Sequence, residues 1–76
     1  MEMLNQTIKY YNKFVSSYNY DREYDVITFV NVKTNLFYEI QIYDNKLYMV
    51  TVTDDLTGDE LYVKYLTIYD IIKLLK

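Results

Sequence analysis

Apolar residues in the first part of the chain recur at helical spacing. Leu4, Ile8, Tyr11, Val15 and Tyr18 are separated by four, three, four and three positions, which lines them up on one face of an α-helix. Met3, Tyr10 and Phe14 widen this stripe, while Lys9, Asn12, Lys13 and Ser16 fall mostly opposite. The pattern predicts an amphipathic helix from Glu2 to Asn19. Its stripe also has the form of a heptad-like seam, one route to self-association.

After a polar, acidic connection from Tyr20 to Asp25, the period changes to two. Val26, Thr28, Val30 and Val32 share one face of a first strand, and Ile27, Phe29 and Asn31 share the other. A second strand runs from Leu36 to Tyr43, with Leu36, Tyr38, Ile40 and Ile42 on one face and Phe37, Glu39, Gln41 and Tyr43 on the other. Lys46 to Thr53 reads as a third strand and Glu60 to Tyr65 as a shorter fourth.

Turn chemistry sets an expected register. Lys33-Thr34-Asn35 fits a three-residue hairpin loop with Asn35 left-handed, pairing Val30 with Tyr38 and Thr28 with Ile40. Asp44-Asn45 fits a two-residue turn, pairing Ile42 with Leu47 and Ile40 with Met49. Gly58 is the only glycine, and its place in the loop from Asp54 to Asp59 suits a positive φ. Thr67 then reads as an N-cap with Asp70 as the capping-box acid and Leu66 and Ile71 as a hydrophobic staple. Ile68, Ile71, Ile72 and Leu75 form the buried stripe of a short last helix, with Lys73 and Lys76 at the favourable end of its dipole. The expected fold is α+β in one domain over residues 1–76: an N-terminal amphipathic helix, a three- to four-stranded antiparallel meander and a short C-terminal helix.

Composition narrows the chemistry. A chain of 76 residues builds a thin core, which small domains often supplement with disulfides, metals or self-association. There is no cysteine and no histidine, so disulfides are excluded and zinc nearly so. Ser-His-Asp and Cys-His catalysis lack their base and thiol, and one glycine is too few for a phosphate-cradling loop. Paired carboxylates remain, drawn from Asp54, Asp55, Asp59 and Glu60 or from Asp21, Glu23 and Asp25, but a core this small leaves little room for a pocket of about 300 Å³. The chain is expected to have no enzymatic activity and no cofactor. The run from Asp54 to Glu60 has four carboxylates around a glycine, yet its spacing departs from a calcium-binding EF-hand loop and reads as a solvated turn. The first residues carry neither the basic nor the apolar segment of a signal peptide, and no apolar run is long enough to span a membrane, so a cytoplasmic location is expected.

The eleven tyrosines, the many Ile, Lys and Asn residues and the absence of Pro, Ala, Trp and Cys follow AT-rich codon usage. They point to a low-GC bacterium, its phage or a mobile element, and the same bias accounts for part of the tyrosine content.

Two surfaces emerge as candidates. If both helices cover one sheet face, the expected register leaves the other carrying Ile27, Phe29, Phe37, Tyr43, Tyr48, Val50 and Val52, with Asn31, Glu39 and Gln41 among them. An outer face this aromatic suits a protein interface. If the helices split between the faces, these residues are core instead. Stacking on single-stranded nucleic acid by Phe29, Phe37, Tyr43 and Tyr48 also needs a basic groove, whereas Glu39 sits at the centre of the face and net charge is −3. No direct nucleic-acid partner is expected. The second surface is acidic. Asp21, Glu23 and Asp25, joined by Asp44, fall at one end of the sheet, and Asp54, Asp55, Asp59 and Glu60 at the other. Such carboxylates either imitate nucleic-acid phosphates or serve only solubility.

Asp21, Glu23, Asp25, the run Asp54 to Glu60 and the helix–strands–helix layout resemble, in style and without a shared motif, the small acidic inhibitors carried by phages and mobile elements. Anti-CRISPR proteins and uracil-DNA glycosylase inhibitors are examples. The resemblance implies a protein-binding inhibitor that docks on a host enzyme, one that handles nucleic acid or serves defence. Asp21, Glu23, Asp25, Asp54, Asp55, Asp59, Glu60, Phe37, Tyr43 and Tyr48 are the candidate partner-binding residues. The alternative is a structural or regulatory module that self-associates, as a homodimer, through the helix seam or an exposed strand edge.

Overall fold

The computed structural model describes residues 1–76, and in it the first helix is half as long as its periodicity predicts. Helix α1 spans Glu2–Tyr10 and is followed by strand β1 at Val15–Asp21. In the stretch from Tyr10 to Tyr20 the only good helix former is Lys13, and the rest are Tyr, Phe, Val, Ser and Asn, so intrinsic preference favours the extended chain. Five strands result where three to four are expected: β1, β2 (Val26–Asn31), β3 (Leu36–Ile42), β4 (Tyr48–Asp54) and β5 (Glu60–Leu66), with helix α2 at Ile68–Leu75. The strands lie in the order β1-β2-β3-β4-β5, each antiparallel to its neighbour.

The expected pairing is wrong by one residue in both central hairpins. Phe29 pairs with Tyr38 and Ile27 with Ile40, across the four-residue loop Val32–Asn35. Ile40 pairs with Val50 and Ile42 with Tyr48, across a loop from Tyr43 to Leu47 in which the Tyr43 and Asp44 amides both donate to the Leu47 carbonyl. A one-residue slip turns every side chain of a strand to the opposite face. Tyr38 and Ile40 of β3 face the helices as expected. Ile27 and Phe29 of β2 and Val50 and Val52 of β4 join them in the core, although the register expected from the turns put them on the opposite face from Tyr38 and Ile40.

Both helices pack on this one face. Leu4 and Ile8 of α1 and Ile71 and Leu75 of α2 complete a single core with those strand residues. The heptad-like seam is therefore used internally: Leu4 and Ile8 are fully buried, and Tyr11, Val15 and Tyr18 pack around the core margin. At α2 the local signals hold. The Thr67 hydroxyl accepts from the Asp70 amide at 3.2 Å and an Asp70 carboxylate oxygen accepts from the Thr67 amide at 3.1 Å. The Thr67 amide, and the Thr67 hydroxyl donating at 3.0 Å, hold the Asp70 carboxyl below its ordinary range.

All four hairpins open with the same device. The side-chain oxygens of Asp21, Asn31, Asp44 and Asp54 accept from backbone amides two residues on, and the three aspartates also from amides three residues on. These Asx turns replace the backbone bonds that a chain reversal leaves open. Three of the loops then close with a left-handed residue four positions after the Asx: Asp25, Asn35 and Gly58, at φ 55°, 59° and 80°. The positive φ expected at Asn35 and Gly58 is present.

One buried polar contact crosses the core. Asn5, 1% exposed, accepts from the Tyr18 hydroxyl, while its Nδ2 has no partner in the protein. A buried donor left unpaired costs about 1–3 kcal/mol, whereas replacing both partners by apolar groups of similar shape removes that cost. The double variant Asn5→Leu, Tyr18→Phe is expected to unfold about 1 kcal/mol harder than the parent in urea, and Asn5→Ala to unfold more easily. A destabilised double variant would show the polar pair to be net stabilising.

Candidate functional site

With both helices on one side, the other side of the sheet has no cover from within the chain. The register builds it in three cross-strand rows: Asp21, Val26, Gln41, Met49 and Tyr65; then Asn19, Thr28, Glu39, Thr51 and Val63; then Ser16, Val30, Phe37, Thr53 and Glu60. None of these side chains is buried. Apolar and aromatic groups concentrate at the β4–β5 side, where the Tyr43 ring leans on Tyr65 with centroids 4.6 Å apart. Met49 and Val63 lie beside that pair. Large amphipathic rings next to methionine, among threonines, are the composition of a protein-binding patch.

The expected outer face is thus present with a different membership. Phe37, Glu39 and Gln41 stand on it as predicted. Ile27, Phe29, Asn31, Val50 and Val52 do not, because the register slip buries them. Tyr48 is also displaced: it pairs with Ile42 and Leu66 and packs at the margin of the helix-side core. Burial raises its phenol above the ordinary range, and the neighbouring Asp25 carboxylate adds to the effect. Tyr65, Met49 and Val63 are the members that sequence reasoning missed. The available signal was the helix-side identity of Val50 and Val52, whose neighbours in a strand must face away.

The acidic residues separate to the two ends of the sheet, as expected, and several are occupied. In the first group Asp21 holds its own turn and Asp25 accepts from the Tyr20 hydroxyl at 2.7 Å. Arg22 lies over the Tyr20 ring, 4.4 Å from its centroid, and forms the ion pair with Glu2. Asp44 and Asp54 hold the later turns. At the far end the Asp55 amide donates to the Asn35 carbonyl at 3.0 Å, joining the β4–β5 and β2–β3 loops. Glu23, Asp55, Asp59 and Glu60 remain exposed, with carboxylates free of hydrogen bonds. No three acidic side chains converge as a metal site would require, and no helix is long and apolar enough to cross a membrane.

The bond to Asp25 pushes the Tyr20 phenol up to about 12, because ionising it would place an anion against a carboxylate. The folded state therefore holds this proton more tightly than the unfolded chain. The stabilisation is complete below the ordinary phenol value near about 10 and is lost as pH rises from there through the folded value. In an ultraviolet phenolate titration, Asp25→Asn is expected to move one late-titrating tyrosine back toward the ordinary range. A titration curve identical to the parent's would refute the assignment.

Compared with family models, with curated proteins and with solved structures, the chain shows no significant match to any of them.

Proposed function

We propose that this chain works by binding another protein, as a stoichiometric inhibitor that docks on a host enzyme handling nucleic acid. The observation that carries the reading is the uncovered sheet face. Its aromatic corner of Tyr43, Tyr65, Met49 and Val63 supplies apolar contact area, with Phe37 further along the same face. The free carboxylates of Asp55, Asp59 and Glu60 lie in and beside the β4–β5 loop at one end of the face, where they steer it toward a basic surface. The inhibitory role rests on the likeness to small acidic inhibitors, and the docking role on the face itself.

The experiment is a paired capture. The tagged parent and a Met49→Lys, Tyr65→Lys variant are incubated with extract from a low-GC bacterium, and retained enzymes are assayed with each protein added. The parent is expected to retain one enzyme and silence it at equimolar ratio, and the variant to lose both effects. Retention of the same enzyme by both proteins would remove the face from the account. Retention without inhibition would remove the inhibitory role.

A further inference from the structure

Binding of single-stranded nucleic acid needs aromatic rings beside a basic groove, and the uncovered sheet face has only the rings. The fold brings the two together elsewhere, at the end of the molecule where both helices stop. Phe14 follows α1, and its carbonyl accepts from the Val32 amide at 2.9 Å. That bond ties the connection before β1 to the β2–β3 loop, and so brings Lys13 near Lys33. Both ammoniums reach the Phe14 ring, 5.3 Å and 5.1 Å from its centroid. From the end of α2 the Lys76 ammonium reaches the Tyr11 ring, 5.5 Å from its centroid. An open groove of about 290 Å³ runs here, lined by Tyr10, Tyr11, Lys13, Phe14, Leu75 and Lys76.

The positive charge at this groove is uncompensated. All three lysines are exposed and none pairs with a carboxylate, the one ion pair of the chain being Arg22 with Glu2. No Asp or Glu lines the groove. The free carboxylates of the β4–β5 loop belong to the far side of the strand order from β1. An aromatic ring occupies one side of an ammonium and leaves its other N–H donors to an anion. The α2 dipole favours a cation at Lys76, but it gives no reason for Lys33, which comes from the loop after β2. A net charge of −3 repels a polyanion only weakly beyond about 8 Å in physiological salt, so the local lysines decide.

We infer that this groove binds a single strand of nucleic acid, holding its phosphates with Lys13, Lys33 and Lys76 and stacking one base on Tyr10. The Tyr10 ring is 79% exposed, and its edge-on contact with Tyr11, centroids 4.8 Å apart, holds it in place. An acidic peptide would use the lysines alone, whereas a nucleotide uses the lysines and the ring. The net-charge argument against a nucleic-acid partner does not extend to this end of the molecule. The site is separate from the sheet face and does not rest on the docking role.

Fluorescence anisotropy with a labelled oligothymidine of about 12 nucleotides tests this directly. The parent is expected to bind at about 50 mM salt, with log affinity falling against log salt at a slope of about −2, as three phosphate contacts on a single strand require. Lys13→Gln and Lys33→Gln should each weaken binding about fivefold and bring the slope about 0.7 nearer to zero. Tyr10→Ala should weaken it about fivefold or more and leave the slope unchanged. Lys46→Gln, in the loop between β3 and β4 at the opposite end of the sheet, should bind as the parent does. All four side chains are exposed, so circular dichroism should report an unchanged fold. Absence of binding at about 50 mM salt, a Tyr10→Ala variant as tight as the parent, or an equal loss at Lys46 would each overturn the inference. So would displacement of the strand by polyglutamate at matched charge, since the groove would then take any acidic chain. Capture of the enzyme through the sheet face is read separately and survives any of these failures.

Discussion

Phe29→Ala is expected to remove about 3–5 kcal/mol of stability, while Val30→Ala, its neighbour in sequence, costs within about 1 kcal/mol. Phe29 is 1% exposed and stacks on Tyr38 across the β2–β3 pair, with ring centroids 5.1 Å apart. Truncation deletes that stack and leaves a cavity which the paired strands on either side cannot easily collapse. Total stability for a domain of this size is on the order of 5–10 kcal/mol, so one such change takes a large share. Val30 faces the uncovered side and is half-buried. Equilibrium unfolding in urea reads both costs. The contrast bears on register as well as packing, since the pairing expected from turn chemistry exchanges the two roles. A larger cost at Val30 than at Phe29 would mean that the sheet presents its other face to the helices.

A comparable contrast is expected in α2. Ile71→Ala should cost about 2–5 kcal/mol, and Ile72→Ala within about 1 kcal/mol. Ile71 is fully buried among Leu4, Ile8 and the central strands, whereas Ile72 is partly exposed and outside the core cluster. The helix has its own start signal in the Thr67–Asp70 capping box, so Ile71→Ala removes the anchor to the sheet and leaves the helix start intact. Unfolding midpoints in urea, with amide exchange across Ile68–Leu75, check both effects. Equal costs at the two positions would show that α2 docks by a different face.

What the sequence made legible follows from how local each signal is. The capping box, the left-handed Asn35 and Gly58 and the antiparallel meander depend on neighbouring residues and are present as expected. The end of α1 was not legible, because Val15 and Tyr18 satisfy a helical period yet also reach the core from a strand. Spacing alone does not separate these cases; the weak helix preference of residues 10–20 does. The strand faces failed for a related reason. Val26, Val30 and Val32 make a convincing apolar row, but a four-residue loop opened by Asn31 shifts the pairing by one. The repeated pattern of Asx followed four positions later by Asp, Asn or Gly, at Asp21, Asn31 and Asp54, was the available clue to loop length. The candidate site inherits that error. Phe37 lies on the uncovered face and Tyr43 leans on its Tyr65, Tyr48 is on the helix side, and Asp21, Asp25, Asp44 and Asp54 are engaged in hydrogen bonds at the loops.

The face assignment underlies the docking proposal, and hydroxyl-radical footprinting tests it most directly. In the free chain, Met49, Tyr65 and Phe37 are expected to label readily, and Phe29 and Tyr38 to resist. Adding the captured enzyme should protect Met49, Tyr65 and Phe37 while leaving Met3 and Tyr69, exposed on the two helices, labelled as before. Labelling of Phe29 and Tyr38 in the free chain, or protection that falls on Met3 and Tyr69, would contradict the account.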